Sequence, residues 1–439
     1  METNSSGFFD RFNNWMRNSV TLKLLMTGIL ILVLMIPGSM IESLVNEREE
    51  LRQEAVKEVS SKWGDEQTIS GPVISVPYSE SYKDENNHEQ IRTAYAHFLP
   101  SQLNIKAKLT PERRNRGIYV VMLYRSDVEI SGTFDGLDGN AVGLANELRW
   151  NEAQLNLGIT DMKGISENIN IDVNGMKTEA QPGTTSSDIV TSGIHIPFTQ
   201  PHHTASSFKV NLKLNGSSSF DVTPFGKETR LDVESSWGDP SFEGEFLPEK
   251  RAVTANAFSA SWKVLQLNRN YPQAGTGAFI SQPDAFGVRL LVPVDEYQKT
   301  MRSAKYSVMF VVITFLSFFF IEILNRKRIH TIQYLLVGFA VVLFYVLLLS
   351  ISEHLNFDKA YWISCAAVLG LITFYAYFVF GNKKLTGVFS GILLILYLFF
   401  YSLLQLQDYS LLLGSIGLFL ILAVVMFLTR KIDWYNWNR

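Results

Sequence analysis

Four residues have the types and positions for chemistry at a membrane boundary: Glu353 and His354 at the end of one apolar run, and Gln405 and Asp408 at the end of another. Carboxylates and an imidazole at such a boundary could hold an ion, a metal or a lipid headgroup, or serve a hydrolase. The spacing matches no zinc motif, and a plainer role competes: Asp408 is suited to cap the following helix, and His354 to face water. Glu322, near the end of another apolar run, reads as an interface anchor paired with Arg326 four residues on, rather than a proton relay.

Other candidates are weaker. Arg113, Arg114 and Arg116 could bind an anionic lipid or glycan, but a solvated turn between strands explains them as well. His202 and His203 follow Pro201, and adjacent side chains on a strand would point apart, so they make a poor metal site. Tyr345, Tyr375, Tyr377, Tyr397 and Tyr401 read as packing and interface residues, with some hydrogen bonds between helices. The chain has no GxSxG, HExxH, P-loop or Gly-rich dinucleotide turn. The sequence therefore favours a non-enzymatic role, and it implies no cofactor and no metal.

These residues are carried by two contrasting regions. The 439 residues hold 39 basic and 42 acidic side chains, a balance that argues against nucleic acid as a partner. Gln333–His354 contains about 18 successive uncharged residues, enough for a bilayer-crossing helix. Apolar runs at 304–324, 331–352, 360–380, 385–405 and 409–428 read as five helices. A further one at 20–44 contains Pro37, a possible kink. Residues 45–64 show apolar positions at helical spacing and read as an amphipathic stalk stopped by Gly64.

Residues 65–303 carry a β signal. Phe208, Val210, Leu212 and Leu214 alternate with Lys209, Asn211 and Lys213, the pattern of a half-buried strand. Stretches 118–124, 128–134, 153–159 and 168–173 read alike, divided by turns such as Asn174-Gly175. With Cys365 as the one cysteine, no disulfide within the chain can hold this domain together. The fold class is thus six transmembrane helices, one N-terminal and five C-terminal, with a large inserted antiparallel β-rich domain.

Basic residues cluster on alternate loops: Arg11 and Arg17, then Arg326–Arg328, Lys383 and Lys384, and Arg430 and Lys431. The positive-inside rule then makes segments 1–19 and 429–439 cytoplasmic and the β domain extracytoplasmic, periplasmic in a Gram-negative cell.

The chain resembles the CreD inner-membrane proteins, also called cell envelope integrity proteins. The resemblance rests on ERxxxxxEAVxEVxxxWG (47–64), SGPVISVPY (70–78), PERRNRGIYVVMLY (111–124) and the long stretches at 240–273, 286–306, 330–357 and 404–435. Gln407 departs from it, standing where an acidic residue is expected before Asp408. The resemblance implies an inner-membrane protein tied to envelope integrity, with the bilayer and envelope proteins or glycans as partners and no defined catalytic residues. Transport or lipid handling is the alternative, and a membrane-embedded hydrolase a further one. Oligomeric state stays open.

Overall fold

The computed structural model describes residues 20–83, 87–144, 147–280, 284–290, 296–325, 329–406 and 410–430. The chain divides into two compact units: one comprises residues up to Leu51 together with those from Val294 onward, the other Arg52–Pro293. Helix α1, Val20–Trp63, contributes to both and continues through Pro37.

In the second unit, seventeen strands among the described residues form two sheets. The strands are β1 (Gln67–Lys83), β2 (Glu89–Phe98), β3 (Gln102–Arg116), β4 (Tyr119–Phe134), β5 (Gln154–Ile159), β6 (Asn170–Val173), β7 (Met176–Glu179), β8 (Gln181–Pro182) and β9 (Gly193–Pro197). They continue with β10 (Ser206–Ser217), β11 (Ser219–Thr223), β12 (Glu228–Ser235), β13 (Pro240–Gly244), β14 (Lys250–Thr254), β15 (Ala257–Leu265), β16 (Ala274–Thr276) and β17 (Phe286–Leu290). One sheet runs β13-β17-β11-β1-β5-β9-β8, with β2 also on β1 and β16 on β2; the other runs β14-β15-β12-β3-β4-β10-β6-β7.

One apolar core joins the two sheets, drawing Ile74, Val76 and Leu155 from the first and Ile105, Ile130 and Leu212 from the second. The pairing is mostly antiparallel, but β1–β11 and β3–β12 are parallel, which the purely antiparallel expectation missed. Stretches 118–124 and 128–134 are also one strand, not two. Arg125 and Asp127 face out while Ser126 faces in, its hydroxyl bonded to Leu214 O at 2.9 Å, so the alternation survives the polar interruption.

The arginines near 113–116 lie on β3, not in a solvated turn. Arg116 pairs with Glu58 at 3.1 Å, and Arg113 sits 4.8 Å over Trp237. Arg114 and Arg125 lie over the ring of Trp63, whose indole N–H donates to Tyr124 O at 3.3 Å. Gly64 follows at φ +140, with Asn215 O 2.5 Å from where a Cβ would stand. A side chain there meets backbone, so glycine ends the helix for steric as well as conformational reasons.

The first unit holds α2 (Glu296–Lys305), α3 (Ser307–Leu324), α4 (Thr331–Ser352), α5 (Phe357–Phe380), α6 (Lys383–Gln405) and α7 (Ser410–Thr429). Among the described residues, four helices are long and apolar enough to cross a membrane, five if α2 and α3, bent by 47° at Tyr306, count as one. That bend was not visible in the apolar run itself. His330 caps α4 reciprocally with Gln333, and Gly381 at φ +58 with Asn382 as the next cap turns α5 into α6 in two residues.

Candidate functional site

The boundary residues are reached by different partners. Glu353 caps α4 and pairs with Arg48 of α1, Nε to Oε1 at 3.4 Å. His354 is exposed. Gln405, the last residue of α6, accepts from Lys299 Nζ at 3.3 Å and donates to the Asp358 carboxylate in the first turn of α5. Arg302 donates to Leu404 O at 3.4 Å. The two cations of α2 therefore sit at the C-terminus of α6, and Asp358 at the N-terminus of α5, each where a helix dipole favours its charge. Asp408 lies outside the described residues. Lys299 and Asp358 joined this group unannounced, because helix-end contacts between distant segments leave no mark on spacing.

Glu322 is buried rather than at an interface, 3% exposed. Its carboxylate accepts from Tyr334 Oη at 2.8 Å and from Ile329 N at 3.2 Å, tying the end of α3 to the start of α4. Arg326, the expected partner, lies outside the described residues.

A second constellation was not anticipated. Ser75 of β1 and His97 of β2 are direct cross-strand partners. Successive residues of a strand alternate, so Ser75 is on the face opposite Ile74 and Val76. Ser75 Oγ lies 2.9 Å from His97 Nδ1, and Asp188 Oδ2 lies 3.1 Å from Nε2. Asn156 Nδ2 donates to Ser75 Oγ at 3.0 Å, and Thr185 donates to Asn156 Oδ1 from its amide at 3.0 Å and its hydroxyl at 2.7 Å.

The donors fix the direction of this chain. The Asp188 carboxylate can only accept, so Nε2 carries the proton, and Nδ1 of the neutral ring accepts from the Ser75 hydroxyl, whose oxygen accepts in turn from the Asn156 amide. The types are those of a serine hydrolase, but the geometry is not. The hydroxyl and the carboxylate sit on the opposite ring nitrogens from a hydrolase triad. Ser75 is 3% exposed, and its oxygen already accepts a hydrogen bond from Asn156. The chain instead fastens residues 185–188 to the sheet. Burial holds the His97 imidazole below its ordinary pKa, partly offset by Asp188. The sequence signal was faint: Ser75 within PVISVPY and His97 within AYAHFL are polar residues interrupting apolar runs.

His202 and His203 do not point apart. Their rings are 3.8 Å apart in a loop, and His202 stacks on Trp150 at 4.3 Å. Among the described residues no three His, Cys, Asp or Glu side chains converge to hold a metal.

The outer face of the eight-stranded sheet carries a regular pattern of charge. Register places Glu234, Lys108, Asp127 and Lys213 in one line across four strands, and Asp232, Lys106 and Glu129 in the next. Lys108 reaches Glu234 at 4.0 Å, and Lys209 reaches Glu129 at 2.7 Å, holding that carboxyl below its ordinary pKa. A shallow groove of about 650 Å³ runs over these lines, with Asn211, Ser259 and Ser261 among its lining residues. It offers acids, bases and neutral donors at strand spacing, and the Ser261 hydroxyl donates to the Asp232 carboxylate at 2.6 Å.

The family model for "Inner membrane protein CreD" matches residues 19–435. The inner membrane protein CreD of Escherichia coli K12 is 33% identical over 425 residues, covering 93% of this chain and 92% of that protein. Among solved structures, a candidate nutrient binding protein from Legionella pneumophila aligns at 8% identity over 55% of this chain and 85% of that one, with a TM-score of 0.27. An M1 zinc metallopeptidase from Deinococcus radiodurans aligns at 7% identity over 37% of this chain and 38% of that one, with a TM-score of 0.18. Neither superposition is close enough to carry a fold or a function across.

Proposed function

We propose a function from one premise: this chain belongs to the CreD family of inner membrane proteins. It supports cell envelope integrity without catalysing a reaction. Six helices cross the membrane, both termini are cytoplasmic, and the β unit works in the periplasm, where it binds an envelope component. The observation that carries this reading is the outer face of the eight-stranded sheet, with Glu234, Lys108, Asp127 and Lys213 in one line under an open groove. Such a face suits a glycan or protein bearing both charge signs.

The test joins topology and binding. Cysteines introduced near Asn140 should label in intact spheroplasts, and those near Lys383 only after permeabilisation. A deletion strain should lose resistance to detergent, and Lys106→Glu with Lys108→Glu should fail to restore it while accumulating normally. Full restoration by that variant would overturn the binding face; labelling of Lys383 positions in intact spheroplasts would overturn the orientation.

A further inference from the structure

Among the described residues of the membrane unit, Ser303 of α2 has a buried hydroxyl without a hydrogen-bond partner in the protein, and so do three others on successive helices: Tyr345 of α4, Ser364 of α5 and Tyr397 of α6. Their residues are 1%, 0% and 0% exposed. They stand seven, seven and eight residues from the Ser352, Phe357 and Gln405 ends of their helices, a depth of about 10–12 Å in each case. Because α5 runs opposite to its two neighbours in sequence, equal counting from those ends puts the backbones of the three residues on about one level.

Contacts bring the two tyrosines together around one phenylalanine. The ring of Phe344 lies 5.1 Å from Tyr345, 5.4 Å from Tyr361 and 5.0 Å from Tyr397. Tyr361 Oη donates across helices to Tyr397 O at 2.8 Å. Tyr397 is within electrostatic reach of Tyr345, Tyr361 and Cys365.

Elsewhere in this unit, helix hydroxyls bond back to their own turn, as Thr314 does to Phe310 O and Ser317 to Ile313 O, both at 2.8 Å. Ser364 has the same option toward the preceding turn and does not take it. Buried polar groups are overwhelmingly paired with protein or ordered water, so three orphans on one level call for a shared occupant.

We infer that Tyr345, Ser364 and Tyr397 line a buried hydration site, with water bound between α4, α5 and α6. The walls fit water better than an ion. They carry no formal charge, and Phe310 and Phe344 line the same layer. Each phenol can donate to a water oxygen and accept from a water proton. Bound water then ties α4 to α5 and α6, which the Tyr361 bond already links to each other.

The test uses the full chain in detergent micelles or nanodiscs. Removing the hydroxyl of a true orphan is neutral or stabilising, whereas removing one that binds shared water is destabilising. Tyr345→Phe and Tyr397→Phe should each lower the thermal midpoint by a few degrees, and the double variant by less than the sum. A midpoint unchanged or raised in both single variants, or fully additive losses, would overturn the site. Ser364→Ala serves if a tyrosine variant does not accumulate. Infrared difference spectra of the unmodified protein give an independent readout: an O–H stretching band that shifts on exchange into oxygen-18 water should be present, and should weaken in Tyr345→Phe. No shifting band would sink the inference.

Discussion

The guanidinium of Arg114 lies over the indole of Trp63, 4.2 Å from carbon to ring centroid, with Arg125 also over that ring at 5.5 Å. Two cations on one ring, plus the indole bond to Tyr124 O, seat the last turn of α1 in the β unit. Trp63→Ala should destabilise the β unit by about 2 kcal/mol, from lost burial and cation–π contact. Arg114→Lys should cost about 0.5–1 kcal/mol, because a lysine keeps the charge but not the planar stacking. Denaturation followed by tryptophan fluorescence measures both, and equal stability of Trp63→Ala and the parent would refute the seat.

His97 gives the β unit a pH dependence of definite sign. Burial favours the neutral ring, so the folded pKa lies below the ordinary one. As pH falls through about 6.5 the unfolded chain takes the proton first, and stability drops by up to about 1.4 kcal/mol per pH unit until His97 itself protonates. His97→Gln should flatten this slope. Denaturation curves between pH 7 and 5 test it, and an unchanged slope in the variant would contradict the assignment.

Asp221 works in the opposite direction. Burial pushes its carboxyl up to about 6, against a hydrogen bond from Ser219 and the charge of Arg289, which lower it. With the folded pKa raised, its contribution is fully present below about pH 4 and is lost as pH rises through about 6. At pH 7 the ionised group costs up to about 3 kcal/mol. Asp221→Asn should therefore stabilise the β unit at pH 7 and lose that advantage at pH 4. Stabilisation of equal size at both values would rule this out.

The Arg48–Glu353 pair, 38% and 14% exposed, ties α1 to the end of α4 in the membrane unit. Arg48→Glu alone should lower the thermal midpoint modestly, by the equivalent of about 0.5–1 kcal/mol. Adding Glu353→Arg should restore most of it. A swap no better than the single variant would mean that the contact contributes nothing.

Periodicity made the class of each region legible. Strict alternation from Phe208 to Leu214 marked β10, and uncharged length marked α4, because both signals are local. Partnership was not legible. Ser75 and His97 are 22 residues apart and Asp188 is 91 beyond His97; only register across β1 and β2 and the return of the 185–188 segment bring them together. The arginines of β3 are solvated as expected, but their partners were hidden because Trp63 and Glu58 lie far back in the chain. The break at Tyr306 was hidden because apolar composition registers length, not direction.

The lines of charge on the eight-stranded sheet have a kinetic consequence. Strands are spaced about 4.8 Å apart, so like charges along the Glu234–Lys108–Asp127–Lys213 line recur at about twice that, close to the screening length of physiological salt. Opposite signs cancel within that distance, and the face projects almost no field into the surrounding water. A ligand arriving there is neither drawn in nor turned away at range. Its capture rate should be nearly indifferent to ionic strength, and selection among ligands falls to how long each one stays.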